Sequence, residues 1–136
     1  MNPYVLMLQA DADDEYITES SLKEMNSPLS IKYLQDAGDI ASFISENGIP
    51  AIILLNDGGT ITERGQTLRR LKAHSSFNYI PVVVLGERSS PDYVRECYRA
   101  GASTFITKPS SVEATNEKIR KFFSYWFEVA EVCVIG

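Results

Sequence analysis

The chain has 136 residues, a length that suits one domain, and 44% of them are hydrophobic, which is enough for an apolar core. Its net charge of −5 disfavours nucleic-acid partners, which need a basic surface. The two cysteines, Cys97 and Cys133, form no CxxC pair, so neither a zinc nor a redox motif is indicated. Because there is no signal-peptide pattern and no apolar run of membrane-spanning length, we expect a cytoplasmic protein without a membrane partner.

Five short apolar runs predict β-strands, because glycine, proline or polar residues bound each run. The third run is apolar throughout and lies between Pro50 and Gly58, which is typical of a strand buried on both faces of a parallel sheet. In chain order, the predicted strands cover residues 4–8, 30–34, 51–55, 80–85 and 103–107.

Five helices are predicted to alternate with these strands. The fourth begins at Pro91 after the N-cap Ser90, with Cys97 and Tyr98 on its inner stripe. The last follows a capping box at residues 110–113 and carries apolar residues at helical spacing. In chain order, the helices cover residues 14–25, 39–46, 63–74 and 91–100, and a last segment that contains Ile119, Phe122, Phe123, Trp126 and Phe127.

This alternation indicates βαβ units with right-handed crossovers. We predict an α/β fold with a doubly wound, five-stranded parallel sheet of order 2-1-3-4-5, in a flavodoxin-like three-layer α/β/α sandwich. Residues at the carboxyl ends of such strands face the crevice in which α/β sheets bind ligands. The third strand runs into Asn56 and Asp57 there, so the function depends on which of the two side chains faces the crevice.

Several of these stretches resemble the receiver domain of bacterial response regulators, and above all the stand-alone, single-domain receivers. The acidic loop after the first strand, the third strand ending at Asn56 and the motif Arg99-Ala-Gly-Ala102 contribute to the resemblance. Its most specific part is Phe105-Ile-Thr-Lys-Pro109, because a strand that ends in Thr-Lys-Pro is a hallmark of receivers. The resemblance implies a receiver-like domain over residues 1–128 and a cis peptide bond before the proline of that motif. Residues 129–136 are mostly apolar and form a predicted C-terminal tail.

The residues that carry out phosphorylation in receivers are mostly replaced in this chain. In the family, two acidic residues after the first strand help to hold Mg²⁺, and an aspartate at the end of the third strand accepts the phosphoryl group. A Thr or Ser ends the fourth strand, and a Lys ends the fifth. The corresponding positions here are Gln9, Ala10, Asn56, Gly86 and Lys108, so only the lysine is retained.

These replacements predict a degenerate pseudo-receiver that needs no cofactor and is not an enzyme. Phosphoryl transfer to a carboxylate requires an anionic nucleophile and a divalent cation, whereas the amide of Asn56 is a poor nucleophile. Without a phosphoryl partner, Lys108 is expected to pair with Asp11 or Asp57. It could instead hydrogen-bond to the carbonyl of Asn56 or remain solvated at the rim of the crevice.

A second hypothesis aligns Asp57 with the acceptor position. It gives an active, phospho-accepting response regulator in which Asp11 and Asp57 hold Mg²⁺. The spacing favours Asn56, because 30 positions separate it from Gly86 and a further 22 separate Gly86 from Lys108, as in the receiver framework. A third hypothesis keeps the fold and binds a nucleotide, as flavodoxins do, but the acidic loop after the first strand would repel phosphate.

The resemblance also implies where partners bind. In receivers, the fourth helix, the fifth strand and the fifth helix form the interaction face, on which Arg95, Arg99, Phe105 and Lys118 are expected to be exposed. The position of Phe105 is the aromatic switch position of the family, but here the side chain lacks a hydroxyl. The expected partner is a histidine kinase or another signalling protein, and the last helix and the tail are expected to support a homodimer.

Overall fold

The computed structural model describes residues 4–27, 29–56, 66–86, 90–108 and 111–129. Five parallel strands form one sheet of order β2-β1-β3-β4-β5, and helices cover both of its faces. The predicted doubly wound fold and strand order are therefore confirmed. The strands are β1 (Tyr4–Leu8), β2 (Ser30–Leu34), β3 (Ile52–Asn56), β4 (Val82–Gly86) and β5 (Thr104–Thr107).

The helices follow the predicted order with shifts of a few residues at their ends. A 3₁₀ turn at Ala37–Asp39 precedes the second helix, and a π-helical turn at Tyr125–Val129 continues the last one. None of the helices in the described ranges is long and apolar enough to cross a membrane. The helices are α1 (Ala12–Glu24), α2 (Ile40–Asn47), α3 (Gln66–Ala73), α4 (Pro91–Arg99) and α5 (Val112–Ser124).

Side-chain caps explain two of the shifted helix starts. Helix α1 begins two residues earlier than predicted, because the carboxylate of Asp11 accepts a hydrogen bond of 2.8 Å from the Asp14 N–H. The N-cap of α5 is Ser111, which accepts from the Ala114 N–H at 3.1 Å, one residue later than the predicted capping box. Ser90 caps α4 as predicted.

Alternate residues of the central strand β3 enter two separate apolar clusters. Ile53 and Leu55 pack with α2, α3 and α4, whereas Ile52 and Leu54 pack with α1 and α5. All four side chains are buried, and burying each one stabilises the fold by about 1.5 to 3 kcal/mol. This two-sided burial explains why the strand has no polar residue before Asn56.

Candidate functional site

The parallel strands end at one edge of the sheet and bring the predicted site positions together there. Asn56 is the last residue of β3 and pairs in register with Leu85 of β4. Gly86 ends β4, and its carbonyl accepts a hydrogen bond of 2.8 Å from the Lys108 N–H, just beyond β5. Gln9 follows β1, which lies beside β3. The residues selected by spacing therefore meet at the carboxyl edge.

The side chain of Asn56 acts as a hydrogen-bond donor. Its Nδ2 lies 3.0 Å from the backbone oxygen of Gln9, and a carbonyl oxygen can only accept a hydrogen bond. Gln9 has a φ of 61°, a left-handed conformation that is uncommon outside glycine. An aspartate at position 56 would place two acceptor oxygens against each other. The local backbone therefore suits an amide at this position.

The two positions after β1 offer no carboxylate. Gln9 is exposed, whereas Ala10 is buried in the cluster under α1 and α5. The carbonyl of Ala10 accepts a hydrogen bond of 2.7 Å from Gln35 Nε2. Within the described ranges, no group of three His, Cys, Asp or Glu side chains is arranged to hold a metal ion. Asp57, the acceptor and metal ligand of the second hypothesis, lies outside those ranges, as does the bond between Lys108 and Pro109.

Lys108 forms an ion pair with a residue that the sequence did not single out. Its Nζ lies 2.9 Å from Asp14 Oδ2, and the two side chains expose only 20% and 12% of their surface. The expected partner Asp11 is not used, because its carboxylate caps α1. The pair joins the end of β5 to the first turn of α1. The positive charge of Lys108, the one retained site residue, is therefore neutralised by a carboxylate of the same chain.

A small cavity lies beside this ion pair, between α1, α5 and the sheet. Its volume is about 30 Å³, and its walls are mostly apolar. A cavity of this size holds about one water molecule. Six of the residues that line it are Asp14, Thr18, Leu54, Ile106, Lys108 and Phe122.

Gly86 and Phe105 fit against each other at the ends of β4 and β5. A Cβ atom built on Gly86 would lie 2.7 Å from Cζ of Phe105, closer than real Cβ contacts. The Phe105 ring also packs edge-on against Tyr93, with 5.8 Å between the ring centroids. Phe105 is thus half-buried, not exposed as predicted, because its ring occupies the space that a larger residue at position 86 would need.

The other predicted residues of the interaction face are exposed. Arg95 and Arg99 lie on α4, where they form surface ion pairs with Asp92 and Glu96 at 2.9 and 3.2 Å. Such exposed pairs contribute little to stability, so both guanidinium groups remain available to a partner. Lys118 of α5 is exposed too.

The outer edge of β5 is capped by side chains from both flanking helices. The hydroxyl of Tyr98 accepts a hydrogen bond of 3.1 Å from the Phe105 N–H, and Lys118 Nζ donates to the Thr107 carbonyl at 2.7 Å. Tyr98 was predicted on the inner stripe of α4, but it is exposed, and Cys97 is the buried residue there. Its role at the strand edge could not be inferred from helical spacing.

The last helix buries only part of its apolar stripe. Phe122 and Phe123 are buried, and Ile119, Trp126 and Phe127 are half-buried against the same cluster. In the π-helical turn that follows, Tyr125 is exposed. Residues 130–136 of the predicted tail lie outside the described ranges. The homodimer expected through this helix and the tail stays a prediction.

Comparisons with known proteins agree with the fold. No family model matches the sequence. The probable methanogenesis regulatory protein FilR2 of Methanothrix harundinacea is 22% identical over 131 residues, which cover 92% of this chain and 84% of that protein. The phosphorylated cyanobacterial phytochrome response regulator RcpA superposes with a TM-score of 0.85 at 17% identity, with 98% of this chain and 100% of RcpA covered. The Mn²⁺-bound response regulator Rcp1 gives a TM-score of 0.84 at 21% identity, with 97% and 99% covered. The chain therefore has the fold of response regulator receiver domains.

Proposed function

We propose that this protein is a receiver-like domain of two-component signalling that works as a protein-interaction module without being phosphorylated. In this proposal it binds no Mg²⁺, catalyses no reaction, and has a histidine kinase or another signalling protein as its partner. The receiver fold supports the signalling class. The regulatory role of FilR2, given by its name, points the same way.

The observation that carries the proposal is the hydrogen bond from the Asn56 amide to the Gln9 carbonyl. RcpA is phosphorylated and Rcp1 binds Mn²⁺, and aspartyl phosphorylation needs a carboxylate nucleophile and a divalent cation. At the end of β3 this chain places an amide in a backbone setting that favours a donor. At the two positions directly after β1, Gln9 and Ala10 offer no carboxylate to a hard cation, which prefers oxygen ligands.

The rest of the crevice supports the same reading. Lys108 would neutralise a phosphoryl group in a working receiver, but here Asp14 already neutralises it. Gly86 provides no hydroxyl, and the Phe105 ring fills the space above it. A phosphoryl group would have to break the ion pair and displace the ring. Regulation would then come from partner binding or abundance.

The surface of α4, β5 and α5 is the proposed binding face. Arg95, Arg99 and Lys118 give it three exposed cations in a chain of net charge −5, which favours an acidic partner surface. We also propose that the half-buried aromatic residues at the end of α5 support a homodimer, because partly covered apolar side chains gain from further burial.

The test is a phosphorylation assay on the intact protein. We would incubate wild type, Asp57→Ala and Asn56→Asp with Mg²⁺ and a small-molecule phosphodonor and measure intact mass. The expected result is no phosphoryl addition in any of them. Asn56→Asp stays unmodified because Gln9 and Ala10 cannot complete a metal site.

Two outcomes would overturn the proposal. Addition to the wild type that disappears in Asp57→Ala would make this an active receiver with a shifted acceptor. Addition to Asn56→Asp alone would overturn the proposed lack of Mg²⁺ binding, because the cation site would then be intact and only the acceptor lost.

A further inference from the structure

A groove opens between α2 and α3, on the face of the sheet opposite α1 and α5. Its volume is about 210 Å³. An apolar cavity of about 150 Å³ is already enough to bind benzene. The groove therefore has room for one aromatic ring with a short substituent.

Core residues form the walls of the groove. Ile40, Leu71 and Phe77 line it, and all three are buried members of one apolar cluster. On the other side, α2 and the turn before it contribute the small residues Ala37 and Ala41, which leave the space open. Because the walls belong to the core, a ring can enter without rearranging the fold.

Two of the polar side chains at the groove, Arg70 and His74, are hydrogen-bond donors. Arg70 lines the groove and makes no ion pair within the described part of the chain. His74 Nδ1 accepts a hydrogen bond of 3.2 Å from the Ser76 N–H, so its proton is on Nε2 and can be donated. The His74 ring stacks on Phe77, with 3.9 Å between centroids. Among the described residues, no carboxylate lines the groove, so this lining favours an anion.

The charge of α3 adds to this preference. The helix carries Arg69, Arg70 and Lys72 and no acidic residue, although the whole chain has a net charge of −5. Lys72 is turned inward, where its Nζ donates to the carbonyls of Asn78 and Ile80 at 3.0 and 2.9 Å, and burial lowers its pKa. The two arginines therefore supply the positive potential beside the groove.

We propose that this groove binds a small aromatic carboxylate. Its ring would lie against Leu71 and Phe77, and its carboxylate would pair with the guanidinium of Arg70, whose planar donors match a carboxylate in a bidentate geometry. A single guanidinium matches the single charge of a carboxylate better than the double charge of a phosphate monoester. The proposal does not depend on the proposed function, because it uses different residues on a different part of the surface.

The test is to titrate the full chain with 3-phenylpropionate or with its neutral counterpart 3-phenylpropionamide. Binding is measured from the backbone amide NMR shifts of the protein. The carboxylate is expected to give saturable shifts at Ile40, Ala41 and Leu71. Arg70→Gln should weaken its binding about tenfold, the usual effect of losing a charge-assisted hydrogen bond, and should leave binding of the amide unchanged.

Two variants complete the design. Arg69→Gln removes the neighbouring charge, which does not line the groove, and should change carboxylate binding much less than Arg70→Gln. Ala41→Leu fills the groove and should abolish binding of both probes. The proposal is overturned if no saturable shifts occur at the groove, if carboxylate and amide bind equally, or if Arg70→Gln binds as well as wild type. Equal losses in the two arginine variants would also overturn it, since only general charge attraction would then remain.

Discussion

The helix pairs that cover the two faces of the sheet differ in the contacts between their members. On one face, α1 and α5 are joined by polar contacts: Ser21 Oγ lies 2.8 Å from Asn116 Oδ1, and Glu24 pairs with Arg120. On the other face, no hydrogen bond or ion pair joins α2 to residues 67–73 of α3. The first face leaves a cavity of about 30 Å³ and the second a groove of about 210 Å³.

The polar contacts on one face and the open groove on the other suggest different roles for the two faces. The polar contacts on the α1 and α5 face include the Asp14–Lys108 pair, so the retained lysine of the crevice contributes to the closure of that layer. On the opposite face, apolar contacts and a few hydrogen bonds, such as the one of 3.1 Å from Lys32 Nζ of β2 to Asn47 Oδ1 of α2, hold the helices to the sheet. Arg70 at the groove has no ion-pair partner within the described part of the chain. A face closed by internal ion pairs suits a fixed shape, whereas an open groove with an available charge suits a ligand.

The largest effect on stability is expected at Asp14. This residue lies on the face covered by α1 and α5, which we call the closed face. Asp14→Ala leaves the largely buried ammonium of Lys108 without its counter-ion and should lower the free energy of unfolding by about 3 kcal/mol. Urea denaturation measures this change. The control is Asp13→Ala, which removes an exposed carboxylate from the same helix turn and should cost no more than about 0.5 kcal/mol. Equal costs would mean that the ion pair does not hold the layer.

A second substitution tests the close packing at the end of β4. Gly86→Ala drives a Cβ into the Phe105 ring and should destabilise the protein by about 2 kcal/mol. In a Phe105→Ala background, the same substitution should cost almost nothing, because the clashing ring is gone. A double-mutant cycle in urea measures the coupling. Additive costs would show that the contact of 2.7 Å is relieved without strain.

The contact between α1 and α5 at Ser21 should have a smaller effect. Ser21→Ala removes a buried hydroxyl that reaches Asn116, and we expect a loss of about 1 kcal/mol in thermal or urea unfolding. Ser20→Ala is the matched control, because Ser20 is more exposed and alanine favours helix. If the two variants lose the same stability, the polar link contributes nothing to this face.

The smallest effect is expected in the groove. Ala41→Leu should change the free energy of unfolding by no more than about 0.5 kcal/mol, because the added side chain enters open space. The same change at Ala10, buried on the closed face, should cost about 2 kcal/mol through overpacking. Chemical denaturation of both variants compares the two faces directly. Similar costs at both positions would show that the groove is not open in solution.

Most of the fold follows from local patterns. The apolar runs ending at Leu8 and Leu55 predict buried strands, and Ser90 with Pro91 predicts the start of α4, because these signals depend on neighbours in the chain. Helix ends are less predictable. At α1, three acidic residues could cap the helix, and only the backbone path selects Asp11.

The candidate site was only partly predictable. The spacing along the chain predicted that four residues lie together at the carboxyl edge of the sheet, because parallel strands end at the same edge. These residues are Gln9, Asn56, Gly86 and Lys108. Tyr98 was missed, since helical periodicity indicates which residues face inward and not which hydroxyl reaches a strand edge. Arg70 and the groove were missed as well, because they depend on the distance between two packed helices, which periodicity along the chain does not give.

By itself, the sequence determined the order of strands and helices, the two-sided burial of β3 and the amide at position 56. These properties depend on residue type and on spacing along the chain. Only the tertiary structure decided that Lys108 pairs with Asp14, that Phe105 turns toward Gly86 and that Arg70 borders an open groove. Each of these contacts depends on which groups lie within reach of one another once hydrophobic burial has packed the layers. The chain has several side chains of each type, so residue type alone does not select the partner.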